Sequence, residues 1–253
     1  MNELEYYFNN NPGRLVFKWH HYFEIYDRHF KRFKENEIVV VEIGVFHGGS
    51  LQIWKNYFGP KARIFGIDIN PRVTELREDN IEIIIGSQSD RSFLRRLRNE
   101  LPPIDILIDD GGHKMKQQIL TFEELFGKIK PDGVYVCEDL STSYQLGYGG
   151  GHKRMGSFIE FSKNLIDKLN AFHSEQKSLQ VDGLTRSMDS IHYYDNIVVI
   201  EKRSRQKPTL SQTGRPSFEI KPQATEISLA LRLLYFLNGI LQFLRLPSFK
   251  LNR

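Results

Sequence analysis

The chain has little with which to cross-link or anchor itself. One cysteine, Cys137, occurs in 253 residues, which excludes a disulfide framework and a zinc site built from several thiolates and leaves nothing that requires an oxidising compartment. The opening MNELEYYFNN carries two early glutamates and no long apolar run, which does not fit a secretory signal, so a cytoplasmic location is the default expectation. Charge of one sign is also missing. The 35 basic residues are interspersed with 31 acidic ones, so the net charge of +4 marks no nucleic-acid footprint and no nucleic-acid partner is expected. There is no internal repeat. What is present, 40% hydrophobic and 12% aromatic residues, is enough to bury one substantial core.

Residues 1–37 read as helical, with Leu15, Trp19, Tyr22, Phe23 and Tyr26 at mixed three- and four-residue spacings, and are expected to form a lid or an oligomer contact. From residue 38 the apolar runs IVVVEI, ARIFGID, IEIII, IDILID and GVYVCED alternate with segments of helical spacing. That alternation predicts a doubly wound α/β domain with a mainly parallel sheet covered on both faces. The helix before GVYVCED should present Ile119, Phe122, Phe126 and Ile129 on one stripe and stop at Pro131, Asp132 and Gly133. SIHYYDNIVVIEK reads as strand, tight turn and strand, an antiparallel pair closing one edge, and the domain should end near Lys202. Residues 203–225, with Pro208, Pro216 and Pro222, read as a linker. The tail 226–253 reads as an apolar and basic helix, too short between Arg232 and Arg245 to span a bilayer. It is expected either to rest on an anionic membrane surface, making the protein membrane-associated, or to pack on a second copy in a homo-oligomer.

The stretch VEIGVFHGGS joins the first strand to its helix through Gly44, Gly48 and Gly49. Such a loop lets a ligand approach the backbone and the free N–H groups of the helix start, although the spacing is not the G-x-G-x-x-G of dinucleotide sites. It is either a nucleotide-type loop or a tight connection. The second strand ends in Asp68, placed to accept both hydroxyls of a ribose or, before Pro71, to cap a helix. GSQSD follows the third strand with Gln88 and Asp90 as polar contacts, and Asp90 equally suits the cap of the next helix.

The strongest chemical signal lies further on. IDILIDDGGH ends one strand with Asp109, Asp110 and His113, and GVYVCEDL ends the next with Glu138 and Asp139. Adjacent parallel strands would bring four carboxylates and an imidazole to one sheet edge, and a divalent cation would relieve their repulsion. An all-oxygen set favours Mg²⁺, with Mn²⁺ or Ca²⁺ as alternatives. Asp109 or Asp110 could instead only cap the helix that DDGGH opens.

In this order the motifs VEIGVFHGG, GIDINP, GSQSD, IDDGGH and CEDL resemble those of the class I S-adenosylmethionine-dependent methyltransferases, over residues 38–202. The resemblance implies a Rossmann-like, seven-stranded sheet and S-adenosylmethionine as cofactor. It assigns the methionine end to Glu42 and Gly44, the ribose to Asp68, and the adenine side to Gln88 with Asp90, and Asp109 joins this cofactor-side set. Ser87 stands where relatives often carry an acid. The second half is similar to the metal-dependent sugar O-methyltransferases of macrolide biosynthesis, of the mycinamicin type. That similarity implies that Asp110, Glu138 and Asp139 hold Mg²⁺ and that His113 is the general base, although DGGH departs from the commoner Asp-Gly-Ser-His.

The acceptor expected from the resemblance is a hydroxyl of a sugar, a glycosylated natural product or a glycan. A hydroxyl attacks a sulfonium methyl slowly unless its proton leaves as the bond forms, and an imidazole, ordinarily mostly neutral at pH 7, is suited to take it. LSTSYQLGYGGGHKRMGS, rich in Gly, Ser and Tyr, is expected either to close over the sugar, with Tyr144 and Tyr148 stacking on it, or to be a disordered surface loop. His20, His21, His29, His47 and His152 lack ligand spacing. Two other functions are an iron-dependent hydroxylase, which needs two histidines and a carboxylate where only His113 and His152 offer themselves, and a non-catalytic binding or assembly subunit of the same fold.

Overall fold

Alternation of apolar residues along the strands builds the molecule around one sheet. The computed structural model describes residues 1–218, 228–244, 246, 248 and 249. Strands β1 (Val39–Ile43), β2 (Arg63–Asp68), β3 (Ile81–Ile85), β4 (Ile104–Asp109), β5 (Ile129–Cys137), β6 (Met188–Tyr194) and β7 (Ile197–Lys202) form a seven-stranded sheet of order β3-β2-β1-β4-β5-β7-β6. The first five run parallel, and β7 and β6 close one edge as the expected antiparallel hairpin. Because successive side chains leave opposite faces, each face grows its own core. Val40, Ile64, Ile108, Val136 and Val199 join the side covered by α1 (Glu3–Asn9), α2 (Tyr22–Phe30) and α3 (Gly49–Phe58). Val41, Phe65, Leu107, Tyr135 and Ile200 join the side covered by α4 (Arg91–Glu100), α5 (Met115–Leu125) and α6 (Phe158–Asn170).

Two expectations fail for local reasons. Residues 11–21 are not helical: Asn11, Pro12 and Gly13 break the chain after α1, with the Asn11 side chain bonding Gly13 N at 2.9 Å and the Arg14 carbonyl at 2.8 Å. The segment continues as an extended strap in which Leu15 and Trp19 are 58% and 55% exposed. The stripe assigned to the helix before GVYVCED also ends early. α5 stops at Leu125, and Ile129 already belongs to β5. Pro131, Asp132 and Gly133 do not separate helix from strand but bulge within β5, where the register jumps from Ile104↔Ile129 to Ile106↔Val134.

Among the described residues no helix is long and apolar enough to cross a membrane. The tail contains α7 (Leu229–Phe243), with Leu233, Phe236 and Ile240 exposed. Residues 219–227, 245, 247 and 250–253, which include the end of the expected linker and parts of the expected tail helix, lie outside the described residues.

Parallel pairing of β1 with both β2 and β4 makes the gap between β1 and β4 the point where strand order reverses, and their carboxyl ends meet there. Asp105 fixes the opposite end of that junction: its Oδ2 accepts from Val39 N at 2.8 Å and from Lys130 Nζ at 2.8 Å while the residue is 9% exposed. Asp105→Ala leaves a buried N–H unpaired and should lower the unfolding free energy by about 1.5–3 kcal/mol, measured by urea denaturation. A loss within experimental error would show that the β1–β4 junction does not depend on it.

Candidate functional site

At the carboxyl edge the loop after β1 is built to lie tight against its neighbour. Gly44 has φ 98°, and a Cβ there would sit 2.0 Å from the Asp110 carbonyl oxygen, so glycine is required by both conformation and space. Gly48, at φ 78°, precedes α3. Asp68, at the tip of β2, holds this loop: its Oδ2 accepts from Val45 N at 2.9 Å and Phe46 N at 3.2 Å, and its Oδ1 from Asn70 N at 2.9 Å. It is not the helix cap, since Asn70 takes that role for the turn Pro71–Leu76.

One cavity of about 420 Å³ opens above this edge, within the roughly 300–1,000 Å³ of small-molecule sites. Gly44, Asp68, Ser87 and Gln88 line it together with Asp110, His113 and Asp139, and Leu15 to Lys18 of the strap also belong to its lining. Gln88 is fixed there, its Nε2 donating to Asp109 Oδ1 at 2.6 Å and Thr121 Oγ1 at 2.9 Å and its Oε1 accepting from Gly112 N at 3.1 Å.

The structure places three other residues of the expected cofactor set outside the lining. Asp90 is exposed and caps α4, accepting from Ser92 N at 2.8 Å. Asp109 is fully buried beneath the cavity, its side chain spent on orienting Gln88, and burial, partly offset by that bond, pushes its carboxyl up to about 6. Glu42 is also fully buried, accepting from Ser50 Oγ at 2.8 Å and Trp54 Nε1 at 3.2 Å, and burial pushes it up to about 7. Tyr144 and Tyr148 do not face the cavity either. They lie in the short turns Leu140–Tyr144 and Leu146–Tyr148, 52% and 38% exposed, and Tyr148 borders a separate depression with Met115 and Lys116. That loop folds back on itself, with Gly151 N donating to the Ser143 carbonyl at 2.8 Å.

The acidic end concentrates charge. Asp110, His113 and Asp139 offer ligand atoms within 4.8 Å of one another. His113 Nε2 lies 3.8 Å from Asp110 Oδ1 and 3.6 Å from Asp139 Oδ2, and its buried Nδ1 has no partner. Asp139 Oδ1 accepts from Trp19 Nε1 and Tyr22 OH, both at 3.1 Å, and from Asn196 Nδ2 at 3.0 Å, which leaves Oδ2 turned to His113. Both His113 and Asp139 hold left-handed backbone, φ 52° and 54°, a local strain that the surrounding contacts must maintain. Glu138 is buried deeper, its Oε1 accepting from Tyr26 OH at 2.6 Å.

Lys18 was not foreseen. Its Nζ lies 2.5 Å from Asp110 Oδ2, 2.7 Å from Glu138 Oε2 and 3.7 Å from Glu42 Oε1, with the side chain 4% exposed. Burial alone would discharge it, but Asp110, Glu138 and Glu42 hold its pKa well above the ordinary range. Burial and the nearby Asp110 charge nevertheless also raise Glu138. Both directions are consistent with one ammonium being too little charge for three carboxylates. Nothing in LVFKWHH distinguishes this lysine as a sequence motif, and Tyr22, Tyr26 and Asn196 were likewise missed as polar partners.

A second histidine cluster is saturated. His29 bonds Glu201 at 2.6 Å and Tyr194 OH at 2.9 Å, Arg32 also reaches Glu201 at 3.3 Å, and His192 bonds Ser190, so this set is a closed hydrogen-bond network bracing α2 on the edge hairpin.

Comparison with known proteins agrees with this fold. Residues 41–140 match the family model described as Methyltransferase domain. The chain is 36% identical over 203 residues to 8-demethyl-8-(2-methoxy-alpha-L-rhamnosyl)-tetracenomycin-C 3'-O-methyltransferase of Streptomyces olivaceus, covering 76% of this chain and 52% of the relative. It is 36% identical over 190 residues to mycinamicin VI 2''-O-methyltransferase of Micromonospora griseorubida, covering 70% and 47%. Among solved structures, the MycE methyltransferase of the mycinamycin pathway, in complex with Mg and SAH, superimposes with a TM-score of 0.73 at 31% identity over 80% of this chain and 55% of that one. The chain thus spans about half the length of the relatives it matches. On its fold, the order of its motifs and these likenesses, the chain belongs to the methyltransferase-domain family, in the class I S-adenosylmethionine-dependent group that includes sugar O-methyltransferases.

Proposed function

We propose that this protein transfers a methyl group from S-adenosylmethionine to a hydroxyl of a sugar or glycosylated small molecule, with a divalent cation, Mg²⁺ first, at its acidic edge. The observation that carries this reading is that the glycine loop with Asp68 and the trio Asp110, His113 and Asp139 line a single cavity. The named activities of the relatives, methylation at rhamnosyl 2' and 3' positions and at the 2'' position of mycinamicin VI, support a sugar hydroxyl as acceptor. Residues 38–202 would be the catalytic domain and 1–37 its covering segment.

The residues fit both groups. Asp68 Oδ2 already accepts two backbone N–H bonds, whereas Oδ1 accepts one and has a further lone pair for a ribose hydroxyl. Asp110 and Asp139 line the cavity, and Glu138, outside the lining and held by Tyr26 and Lys18, lies next to them, so the set offers hard oxygen donors without a thiolate, which suits Mg²⁺ or Mn²⁺. When bound, the cofactor supplies an electrophilic methyl and the cation a Lewis acid for the acceptor oxygen. Gly44 and Asp68 line the same cavity as the acidic trio, which would align the two reactants. His113 Nε2, hydrogen-bonded to neither neighbouring carboxylate, is the atom proposed to take the hydroxyl proton, and those carboxylates would stabilise the resulting imidazolium. An iron-type facial triad is disfavoured because His113 is the only histidine of the cluster and His152 is exposed outside the lining.

Three results are expected. Asp68→Ala should weaken S-adenosylmethionine binding by about 1.5–3 kcal/mol by calorimetry, and unchanged affinity would reduce Asp68 to a loop anchor. His113→Ala should slow methyl transfer about 10²–10⁴-fold with cofactor and Mg²⁺ affinity nearly intact, and a fully active variant would remove the base. Glu138→Gln should lower Mg²⁺ affinity, with excess Mg²⁺ restoring part of the turnover, whereas full activity of the parent enzyme in EDTA would sink the metal assignment.

A further inference from the structure

The strap between α1 and α2 is held at its ends and by one charge. Arg14 anchors the front, its N donating to Gln52 Oε1 at 2.8 Å and its Nη1 to the Leu76 carbonyl at 2.8 Å. Trp19 Nε1 reaches Asp139 at the back. Between them, among the described residues, no backbone hydrogen bond fixes residues 15–18, and Phe17 is 86% exposed. Val16 packs a partly buried side chain on the core, so apolar burial holds the strap at one residue between these anchors. The polar hold on its middle is the Lys18 ammonium between Asp110 and Glu138.

We propose that Lys18 is a tethered counter-ion which a divalent cation displaces from Asp110 and Glu138, so that metal binding releases residues 15–19 from the wall of the cavity. The proposal rests on the reading that the acidic edge holds such a cation. Lys18 Nζ contacts Asp110 Oδ2 and Glu138 Oε2, and Mg²⁺ coordinates at about 2.0–2.1 Å, so an ion held by this pair of oxygens claims the same lone pairs and repels the ammonium. With Glu42 at 3.7 Å and Asp139 alongside, a double charge compensates the cluster better than a single one. Because Leu15 to Lys18 belong to the lining, their release would reshape the cavity when the metal enters. Metal occupancy would thereby precede acceptor binding.

The test uses the full chain with Mg²⁺ alone, with no cofactor or acceptor. Trypsin needs the Lys18 side chain, which is buried, so cleavage after Lys18 should accelerate at least ~10-fold with saturating Mg²⁺ while cleavage after the exposed Lys207 stays constant. Trp19 fluorescence should change in the same titration and the change should be absent in Trp19→Phe. Lys18→Met should bind Mg²⁺ at least ~10-fold more tightly by calorimetry. Mg²⁺ binding with unaltered Lys18 cleavage and unaltered Trp19 fluorescence would overturn the proposal while leaving the metal site standing, with the ion on Asp110 and Asp139 beside a retained Lys18. Equal or weaker Mg²⁺ binding by Lys18→Met would overturn it as well. Absence of Mg²⁺ binding in both proteins would remove the metal reading and this one with it. The cleavage and fluorescence measurements on the parent protein decide the matter even if Lys18→Met does not fold.

Discussion

Charge balance at one edge of the sheet is the constraint on which the rest depends. The ends of β1, β4 and β5 bring Glu42, Asp110, Glu138 and Asp139 together, and Glu42 and Glu138 are almost wholly buried. Buried carboxylates are tolerated only when paired or protonated. The fold meets this requirement with Lys18, with hydroxyl and indole donors from Tyr22, Tyr26, Trp19 and Trp54, and with the amide of Asn196. Burial, more than any neighbouring charge, raises Glu42 and Glu138, while Lys18 draws both back down.

The surrounding architecture keeps that cluster in place from both faces of the sheet. α2 supplies Tyr22 and Tyr26 from one side, and the turn after β6 supplies Asn196, whose Oδ1 also accepts from Ser141 N at 2.6 Å. The Tyr22 and Asn196 contacts hold Asp139 in its left-handed backbone with Oδ2 3.6 Å from His113 Nε2. Across the cavity, Asp68 and Gln88 bind loops rather than merely line them. Each of these two residues therefore contributes to the shape of the site as well as to any ligand contact, and Asp68→Ala should be read with a stability measurement beside it.

Much of the fold was legible because burial on both faces leaves uninterrupted apolar runs, and all five runs from IVVVEI to GVYVCED became parallel strands. The acids at strand ends were legible for the same reason: a charge that closes such a run must sit at the sheet edge. Which acid faces the cavity was not. Asp109 and Asp110 are neighbours that part at the strand end, one beneath the cavity and one into it, and only the finished register separates them. The aromatic spacing of residues 15–26 was mistaken for one helix because Tyr22, Phe23 and Tyr26 do form a helical face, whereas Leu15 and Trp19 are exposed strap residues. Lys18, Tyr26 and Asn196 act across 92, 112 and 57 positions of sequence, and contacts at that range leave no local pattern.

The central claim is that Asp110, Glu138 and Asp139 together hold a divalent cation. Manganese suits the same oxygen donors and scatters anomalously, so crystals of the full chain grown with Mn²⁺ measure its position directly. The account predicts one anomalous peak bonded to carboxylate oxygens of Asp110 and of the Glu138–Asp139 pair. No peak at this edge, or a peak only at the His29, His192 and Glu201 cluster, would contradict it.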